Sequence, residues 1–338
     1  MQTKLIQVNP KKFSVGELTE AALLLKKGEV VVFPTETVYG LGANAFNEKA
    51  VSKIFQAKNR PADNPTIVHI SSIHQLNQVV AKVPKNAIKL IKEFWPGPLT
   101  LVLPKSKDLP LNVTAGLDSV AVRMPSNKVA LALIKECDFP IAAPSANTSG
   151  SPSPTTAKHA FNDLNERVPL VIDSGACEHG LESTVLSLLD KTPVLLRPGS
   201  VTVEQIQKVI GKIKVPIKKS NSVDENTNSK PLSPGMKYKH YSPKAEVVLI
   251  LVGKNFEKKV FELSDDKKVG VISFSKKIKL ENEYNFGKDL KAYAKNLFSC
   301  FREMDEKGVE VIFVEGVKEK GLGLALMNRL KKASSKII

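Results

Sequence analysis

The sequence predicts an α/β protein of two domains joined by a polar linker. Strand patterns and helical patterns alternate through residues 17–196, an order typical of helices packed on a sheet. A segment rich in Pro, Ser and Asn follows, and a shorter alternation of the same kind occupies the remaining residues. We therefore place the first domain at 1–211, the linker at 212–244 and the second domain at 245–338.

In the first domain the apolar periodicity separates helices from strands. Residues 17–27 have helical spacing with Gly28 as a stop, and residues 48–58 place Val51, Ile54 and Phe55 on one helical face. Further patterns predict a helix at 128–135 and strands at 29–33, 66–70, 99–103, 120–123, 140–143, 170–172, 183–188 and 194–196. At least seven short strands with intervening helices indicate an α/β domain.

The second domain repeats this pattern on a smaller scale. Three apolar strand patterns, at 246–252, 269–273 and 309–314, are separated by helical stretches, one of them around 289–304. A last helix is predicted at 324–333. Strands joined through helices favour a small three-layer domain with a parallel sheet.

Composition and charge limit the possible classes of protein. The 338 residues carry 50 Lys and Arg against 34 Asp and Glu, a net charge of +16. Residues 211–244 alone hold 8 basic and 2 acidic side chains, so more than a third of the net charge falls in the linker region. No apolar stretch is long enough to span a membrane, and no secretory signal is visible, so we expect a cytoplasmic protein. The three cysteines are far apart and form no CxxC metal motif.

Three polar clusters follow apolar strands of the first domain. They occupy residues 34–42 (PTETVYGLG), residues 58–65 (KNRPADNP) with His69 close behind, and residues 144–153 (PSANTSGSPS). Hydroxyls, amides and fixed cations on rigid Pro/Gly loops are suited to binding a polyanion. The alternative is that these residues only make turns. Three such loops at strand ends favour a binding site.

Single residues in this domain leave two interpretations open. His69 lies inside an apolar strand pattern, where it is either a satisfied core histidine or a side chain directed into the site. Arg123 and Arg197 each lie at the end of a predicted strand. Each is either a surface cation or a residue that binds a carboxylate or phosphate.

Several catalytic and cofactor-binding classes are poorly supported. Residues 40–45 (GLGANA) match G-x-G-x-x-A, but six residues separate them from the preceding strand, where a dinucleotide site needs a tight turn. No P-loop motif and no G-x-S-x-G nucleophile elbow is present in the sequence. Any nucleotide must therefore be held in another way, and a protein nucleophile is not expected.

Taken together, the motifs resemble the YrdC/Sua5 family, the threonylcarbamoyl-AMP synthases of tRNA modification. The matching runs are residues 33–42 (FPTETVYGLG), 58–65 with His69, 94–99 (FWPGPL), 122–125 (VRMP), 142–150 (AAPSANTSG), 180–185 (GLESTV) and 196–199 (LRPG). Residues 234–243 (PGMKYKHYSP) and 321–330 extend the resemblance to the longer, two-domain Sua5 type. The resemblance implies a twisted, open α/β sheet joined to a small Rossmann-like three-layer α/β/α domain.

The resemblance also implies a nucleotidyltransferase reaction. In this family L-threonine, bicarbonate and ATP give L-threonylcarbamoyladenylate and pyrophosphate. The product supplies the threonylcarbamoyl group of adenosine 37 in tRNA, through a downstream threonylcarbamoyl transferase. Mg2+ is implied as the companion of ATP, with no dedicated metal site in the chain, and transient contact with tRNA is compatible with the basic charge.

Site residues follow from the positions that match the family motifs. The catalytic tetrad corresponds to Lys58, Arg60, Ser145 and Asn147. The L-threonine positions correspond to Thr35, His69, Arg123 and Ser183. The ATP positions correspond to Lys58, Asn64, Ser119, Ser145, Ser153, Arg197 and Tyr241. We expect the second domain to dock over the cleft, with Tyr241 helping to close the site around ATP.

Two alternative functions remain at this stage. One is a double-stranded RNA-binding module of the same fold, and the other is carbamoyl-adenylate chemistry on a different substrate. An RNA-binding surface needs only Lys and Arg, whereas threonine-sized polar pockets indicate an enzyme.

Overall fold

A computed structural model describes residues 2–216, 241–264 and 267–338 of the chain. Most of the predicted linker, 212–244, therefore lies outside the described residues. The described parts contain two sheets, one in each of the predicted domains. No helix among them is long and apolar enough to cross a membrane.

Ten of the described strands form one mixed sheet in the first domain, and their order across the sheet differs strongly from their order along the chain. They are β1 (Lys4–Gln7), β2 (Val31–Phe33), β3 (Gly40–Asn44), β4 (Ile67–His69), β5 (Leu99–Pro104), β6 (Ser119–Arg123), β7 (Ile141–Ala143), β8 (Leu170–Asp173), β9 (Thr184–Ser187) and β10 (Val194–Arg197). Their order across the sheet is β1-β8-β2-β3-β7-β4-β6-β5-β9-β10. The central strands β3, β7, β4 and β6 thus bring together residues that are far apart in sequence.

Helices of this domain pack on the two faces of the sheet. They are α1 (Thr19–Lys26), α2 (Glu48–Lys58), α3 (Ile73–Val79), α4 (Lys85–Phe94), α5 (Lys128–Cys137), α6 (Ala157–Leu164) and α7 (Val203–Ile210). Successive strand residues point to opposite faces, so Val32 joins the core under α2 while Val31 and Phe33 join the core under α1 and α5. A third, small apolar cluster lies on the faces of β4, β5, β6 and β9, and the polar cavity described below opens beside it.

The second domain is a five-stranded parallel sheet with helices packed on it. Its strands are β11 (Glu246–Ile250), β12 (Val269–Ser273), β13 (Glu283–Asn285), β14 (Val311–Glu315) and β15 (Lys336–Ile337), in the order β13-β12-β14-β11-β15. Its helices are α8 (Phe256–Glu262), α9 (Leu290–Glu306) and α10 (Leu322–Ala333). The three strands predicted from sequence are its central ones, and the short strands β13 and β15 extend it on both sides.

Contacts of α9 join the second domain to the first. The Arg302 guanidinium donates two hydrogen bonds to the Asp163 carboxylate, 2.9 and 2.8 Å long. Gly180 faces the backbone of α9 so closely that a Cβ there would lie 2.0 Å from the Lys295 carbonyl oxygen, and its φ of +70° also favours glycine. Bidentate pairing and backbone-close packing indicate a defined docking geometry.

The glycine-rich run that resembled a dinucleotide fingerprint is a strand. Gly40–Asn44 pairs antiparallel with β2 and with β7, deep in the sheet. A Cβ at Gly42 would lie 2.7 Å from Ile141 Cγ2 and 2.8 Å from the Phe33 ring, so these glycines allow close packing between strands. The dinucleotide interpretation is wrong because no phosphate-binding turn exists there.

Candidate active site

A polar cavity of about 70 Å³ lies beside the central strands of the first domain. Such a volume has room for roughly five water molecules. Eight of the sequence-predicted site residues line it: Thr35, Arg60, His69, Arg123, Ser145, Ser183, Arg197 and Tyr241. They come from seven separate segments of the chain, which the crossed strand order brings together.

Arg123 and His69 are neighbours on the sheet. The parallel strands β4 and β6 pair His69 directly with Arg123, so both side chains project from the same face. Arg123 Nη2 donates to His69 Nε2 at 3.1 Å, which leaves the ring proton on Nδ1, 3.2 Å from the Ile67 carbonyl oxygen. Burial first, and the Arg123 charge second, hold the pKa of His69 well below its usual value. The ring is therefore neutral at physiological pH.

The buried Glu36 carboxylate and the Thr37 hydroxyl bind the second terminal nitrogen of Arg123, Nη1. Arg123 Nη1 donates to Thr37 Oγ1 at 2.8 Å and to Glu36 Oε1 at 3.3 Å, and both charged side chains are almost fully buried. Arg123 Nε and Glu36 Oε2 have no hydrogen-bond partner among the described residues. A buried cation with unused hydrogen-bonding capacity at a cavity wall is suited to an incoming carboxylate.

Hydroxyl groups surround the same cavity. Thr35 Oγ1 donates to the Val38 carbonyl oxygen at 2.5 Å, which ties the loop after β2 into a tight turn. Ser183 Oγ lies 2.8 Å from Thr100 Oγ1 and accepts a hydrogen bond from Arg197 Nη2 at 3.1 Å. Arg197 Nε also donates to the Ser183 carbonyl oxygen at 3.0 Å, so Ser183 and Arg197 form one fixed unit.

Lys58 and the loop after β7 form a second polar cluster. Lys58 ends helix α2, where the C-terminal carbonyls favour a cation, and its side chain is buried. Its Nζ donates to the Ser145 carbonyl oxygen at 2.5 Å and to the Asn147 carbonyl oxygen. Ser145 Oγ donates to Asn147 Oδ1 at 2.5 Å. Lys58 therefore fixes the loop that presents Ser145 to the cavity.

Burial makes Lys58 an unusual lysine. Desolvation first, and the nearby Arg60 charge second, hold the pKa of its ammonium well below the usual range. Arg60 itself donates to the carbonyl oxygens of Asn64 and Pro65, at 2.8 and 3.3 Å, and packs over the Phe55 ring. Asn64 is buried, and its Oδ1 has no partner among the described residues.

At the Arg197 side of the cavity, the second domain contributes directly. Glu182 lines the cavity, and its Oε2 accepts a 2.7 Å hydrogen bond from Arg329 Nε on α10. Tyr241, the linker residue with which the described chain resumes after residue 216, lies 5.4 Å from the Phe298 ring in a stacked arrangement and 5.5 Å from the Arg329 guanidinium. Burial first, and the Glu182 charge second, raise the pKa of Tyr241.

Comparisons with known proteins identify the family. The Sua5/YciO/YrdC family model, described as telomere recombination, matches residues 23–199, and the model of the threonylcarbamoyl-AMP synthase C-terminal domain matches 201–335. A relative from Pyrococcus abyssi named threonylcarbamoyl-AMP synthase is 50% identical over 321 residues, covering 93% of each chain. The chain belongs to the Sua5/YrdC family.

Other relatives extend the similarity across both domains. A threonylcarbamoyl-AMP synthase from Bacillus subtilis is 47% identical and covers 94% of this chain and 93% of its own. The solved structure of P. abyssi Sua5 complexed with L-threonine superposes with a TM-score of 0.93 at 48% identity, covering 99% of both chains. The fold expected from the family resemblance, an open α/β sheet domain followed by a smaller parallel-sheet domain, is confirmed.

The remaining predicted residues lie outside the cavity lining. Lys58 Nζ donates to the Ser145 carbonyl oxygen, and Asn147 Oδ1 accepts a hydrogen bond from the Ser145 hydroxyl. Ser153 Oγ donates to Glu182 Oε1 at 2.5 Å. Ser119 lies at the opposite end of β6 from Arg123, four residues away, a separation of about 13 Å at the rise of a strand. Its assignment to ATP stays a prediction.

Three residues at the site were not assigned a role from the sequence. Glu36 and Glu182 lie within the motifs that the family resemblance quoted, but neither was assigned a role. Arg329 is a fully buried cation on the otherwise apolar face of α10. A single charge in a helix pattern normally marks the solvent side, so periodicity alone could not indicate its partner.

A protein-held magnesium site does not fit the described residues. Among them, no group of three or more His, Cys, Asp or Glu side chains could hold a metal ion. The one acidic side chain that lines the cavity, Glu182, already has both carboxylate oxygens in hydrogen bonds. We derive no step through a metal held by these residues.

The buried His69 predicts a loss of stability in mild acid. Its folded pKa lies below the unfolded value of about 6.5, so between these two values the unfolded chain binds more protons than the folded protein. Lowering the pH through this range therefore lowers the free energy of unfolding. We expect His69 to contribute a slope of up to about 1.4 kcal/mol per pH unit below pH 6.5. The free energy of unfolding should therefore fall less steeply from pH 7 to 5 in His69→Gln. His74→Gln, an exposed control on α3, should retain the wild-type slope; equal slopes in His69→Gln and wild type would contradict the prediction.

Proposed function

We propose that this protein synthesises L-threonylcarbamoyladenylate from L-threonine, bicarbonate and ATP, with release of pyrophosphate and water. The proposal extends to supplying the threonylcarbamoyl group for adenosine 37 of tRNA, through a downstream threonylcarbamoyl transferase. It rests on family membership and on one observation: a single small cavity holds two kinds of anion-binding group. Arg123 with His69 forms one, and Arg60, Ser145 and Arg197 form the other.

L-Threonine fits the Arg123 end of the cavity. Its carboxylate would take the guanidinium edge of Arg123, which Glu36 and Thr37 already orient. Thr35 and Ser183 supply hydroxyl groups for the polar atoms of a small amino acid, and His69 offers a neutral ring. The P. abyssi relative binds L-threonine in its solved structure.

ATP and bicarbonate fit the end formed by the Lys58 cluster and Arg197. The threonine amine attacks bicarbonate, forming an N–C bond with loss of water, or attacks carbon dioxide that bicarbonate has already released with loss of water, in which case the amine gives up a proton. A carbamate oxygen then attacks the α-phosphorus as the bond to pyrophosphate breaks. These steps need no protein nucleophile. The protein aligns the reactants and stabilises charge on the phosphoryl group, which Arg60, Arg197 and the Ser145 hydroxyl are placed to do.

The position of the cations also distinguishes the alternatives. Double-stranded RNA binds across open basic surfaces, whereas Arg123 and Arg197 are buried in the wall of a cavity. A small-molecule reaction is therefore favoured over an RNA-binding module. We propose Mg2+ as a companion of ATP, transient tRNA contact, and the cytoplasm as the compartment; the three buried free thiols are compatible with a reducing environment.

Pyrophosphate release tests the proposed function. We expect release from ATP to require both L-threonine and bicarbonate, and to stop when either is omitted. Ser145→Ala removes a hydroxyl of the cavity lining together with its hydrogen bond to Asn147, which orders this loop, and should lower kcat by about 10²-fold or more. Ser149→Ala, in the same loop but exposed, is the matched control and should keep wild-type kinetics. ATP hydrolysis independent of threonine, or full activity in Ser145→Ala, would count against the assignment.

A further inference from the structure

Arg329 belongs to the second domain, yet it binds the first. It lies on α10 with none of its surface exposed. Its Nε donates to Glu182 Oε2 at 2.7 Å, and its Nη1 donates to the Pro198 carbonyl oxygen at 3.0 Å. Burying a guanidinium this completely is unfavourable unless its partners are held in place, so the contact needs the docked arrangement of the two domains.

Arg329 contacts two segments of the first domain, one at Glu182 and one at Pro198. These segments also carry the cavity residues Ser183 and Arg197. Glu182 immediately precedes Ser183, and Pro198 immediately follows Arg197. These segments pack so closely that a Cβ at Gly199 would lie 2.3 Å from the Thr184 nitrogen. One guanidinium from the second domain thus fastens both segments of this wall together.

Glu182 presents an electrostatic difficulty that Arg329 resolves. A carboxylate in the cavity wall repels an incoming triphosphate unless cations compensate it. The charged and titratable groups around Glu182 are Arg329 from α10, Arg197 from β10 and Tyr241 from the end of the linker, and Ser153 Oγ donates to its other oxygen. Although burial would raise the pKa of this carboxyl, Arg329 and then Arg197 lower it below its usual value. Glu182 is therefore ionised, and Arg329 is its closest counter-charge.

We propose that Arg329 is a positioning residue for ATP: it neutralises Glu182 and fixes the wall that carries Ser183 and Arg197. The second domain then contributes a charge to the nucleotide end of the site through a contact that exists only when the domains are docked. This inference rests on the proposed function for the identity of the nucleotide. It assigns to the second domain a specific electrostatic role.

Direct ATP titration of the full-length protein tests this role. In Arg329→Met we expect ATP to bind about 30-fold more weakly or worse at pH 8, because a buried carboxylate faces the triphosphate without its partner. The Glu182 pKa rises in this variant, so a falling pH protonates the carboxyl and restores part of the ATP affinity. In the double variant Arg329→Met with Glu182→Gln, affinity should recover at pH 8 and lose that pH dependence. L-Threonine affinity should fall less than ATP affinity, because the threonine carboxylate is assigned to Arg123, although Ser183 lies in the wall that Arg329 holds.

Two further variants separate charge from simple loss of docking. Arg302→Met breaks the other interdomain arginine pair and should lower thermal stability without creating a Glu182-dependent pH effect. Glu182→Gln alone removes the carboxylate while Arg329 keeps its charge, so ATP should bind more tightly than to wild type. Weaker ATP binding in this variant would contradict the electrostatic role, and the test holds even if Arg329→Met folds poorly.

Different results would contradict the role of Arg329 and the proposed function. Wild-type ATP affinity in Arg329→Met, or a double variant that binds no better than the single one, would overturn the role of Arg329. Wild-type protein that binds ATP but releases no pyrophosphate with threonine and bicarbonate would overturn the proposed function and leave the ATP titrations interpretable.

Discussion

Replacing Arg123 with methionine is expected to abolish threonine-dependent turnover at physiological threonine concentrations. Two charge-assisted hydrogen bonds to a carboxylate contribute about 1.5–3 kcal/mol each, so threonine affinity should fall about 10²–10⁴-fold. The effect is large because Arg123 is buried and already oriented by Thr37 and Glu36, so no competing solvent contact reduces its interaction. Calorimetric titration with L-threonine in the absence of ATP measures the loss directly.

Stability must be separated from binding in this experiment. Arg123→Met leaves Glu36 buried without its counter-charge, which costs about 3–5 kcal/mol when one partner of a buried pair is removed. Combining it with Glu36→Gln removes that charge and should restore much of the fold stability, but not threonine affinity. Arg167→Met, an exposed arginine of the same domain, serves as the control. Threonine binding by the folded double variant would show that Arg123 is not the carboxylate site.

Replacing Lys58 with methionine is expected to reduce kcat by about 10²–10³-fold. The ammonium has three N–H donors, and two are directed at the Ser145 and Asn147 carbonyl oxygens, so the change both loosens this loop and removes a cation from the phosphate end. The unfavourable burial of that cation is already reflected in its lowered pKa. Steady-state pyrophosphate release at saturating substrates gives the kcat.

The depressed pKa of Lys58 adds a pH signature. A lysine is charged below its pKa, so if the charged form is required, wild-type kcat should decline as pH rises through that lowered value. Lys53→Met, on the same helix but half-exposed in its pair with Glu29, is the matched control and should keep both kcat and its pH profile. Undiminished turnover in Lys58→Met would remove Lys58 from the catalytic group.

Some elements of the fold could be predicted from the sequence and others could not, and the spacing of apolar residues explains the difference. Helix α2 and strands β4 and β6 were predicted because their apolar spacing is regular. Strand β3 was missed because Gly40–Asn44 contains two glycines, which are rare in strands and here permit close packing against Phe33 and Ile141. Short edge strands such as β15 have too few residues to show a period.

Long-range pairing explains the site residues that could not be predicted. The sequence shows His69 inside a strand pattern and Arg123 at a strand end. Their direct contact, between residues 54 apart in sequence, depends on the register of β4 against β6. The Arg329–Glu182 pair spans 147 residues and two domains, so neither side chain identifies the other in the sequence. Motif resemblance predicted the site residues, and only the order of the strands in the sheet showed how they are held together.

Identification of the reaction product decides whether the protein makes threonylcarbamoyl-AMP. The purified protein is incubated with ATP, L-threonine and ¹³C-bicarbonate, and the adenylate fraction is analysed by mass spectrometry. We predict an AMP adduct with the mass of threonylcarbamoyl-AMP, heavier by one ¹³C than the adduct formed with unlabelled bicarbonate, and absent without threonine. An adenylate that forms without threonine, or one whose mass does not change with the labelled bicarbonate, would contradict the account.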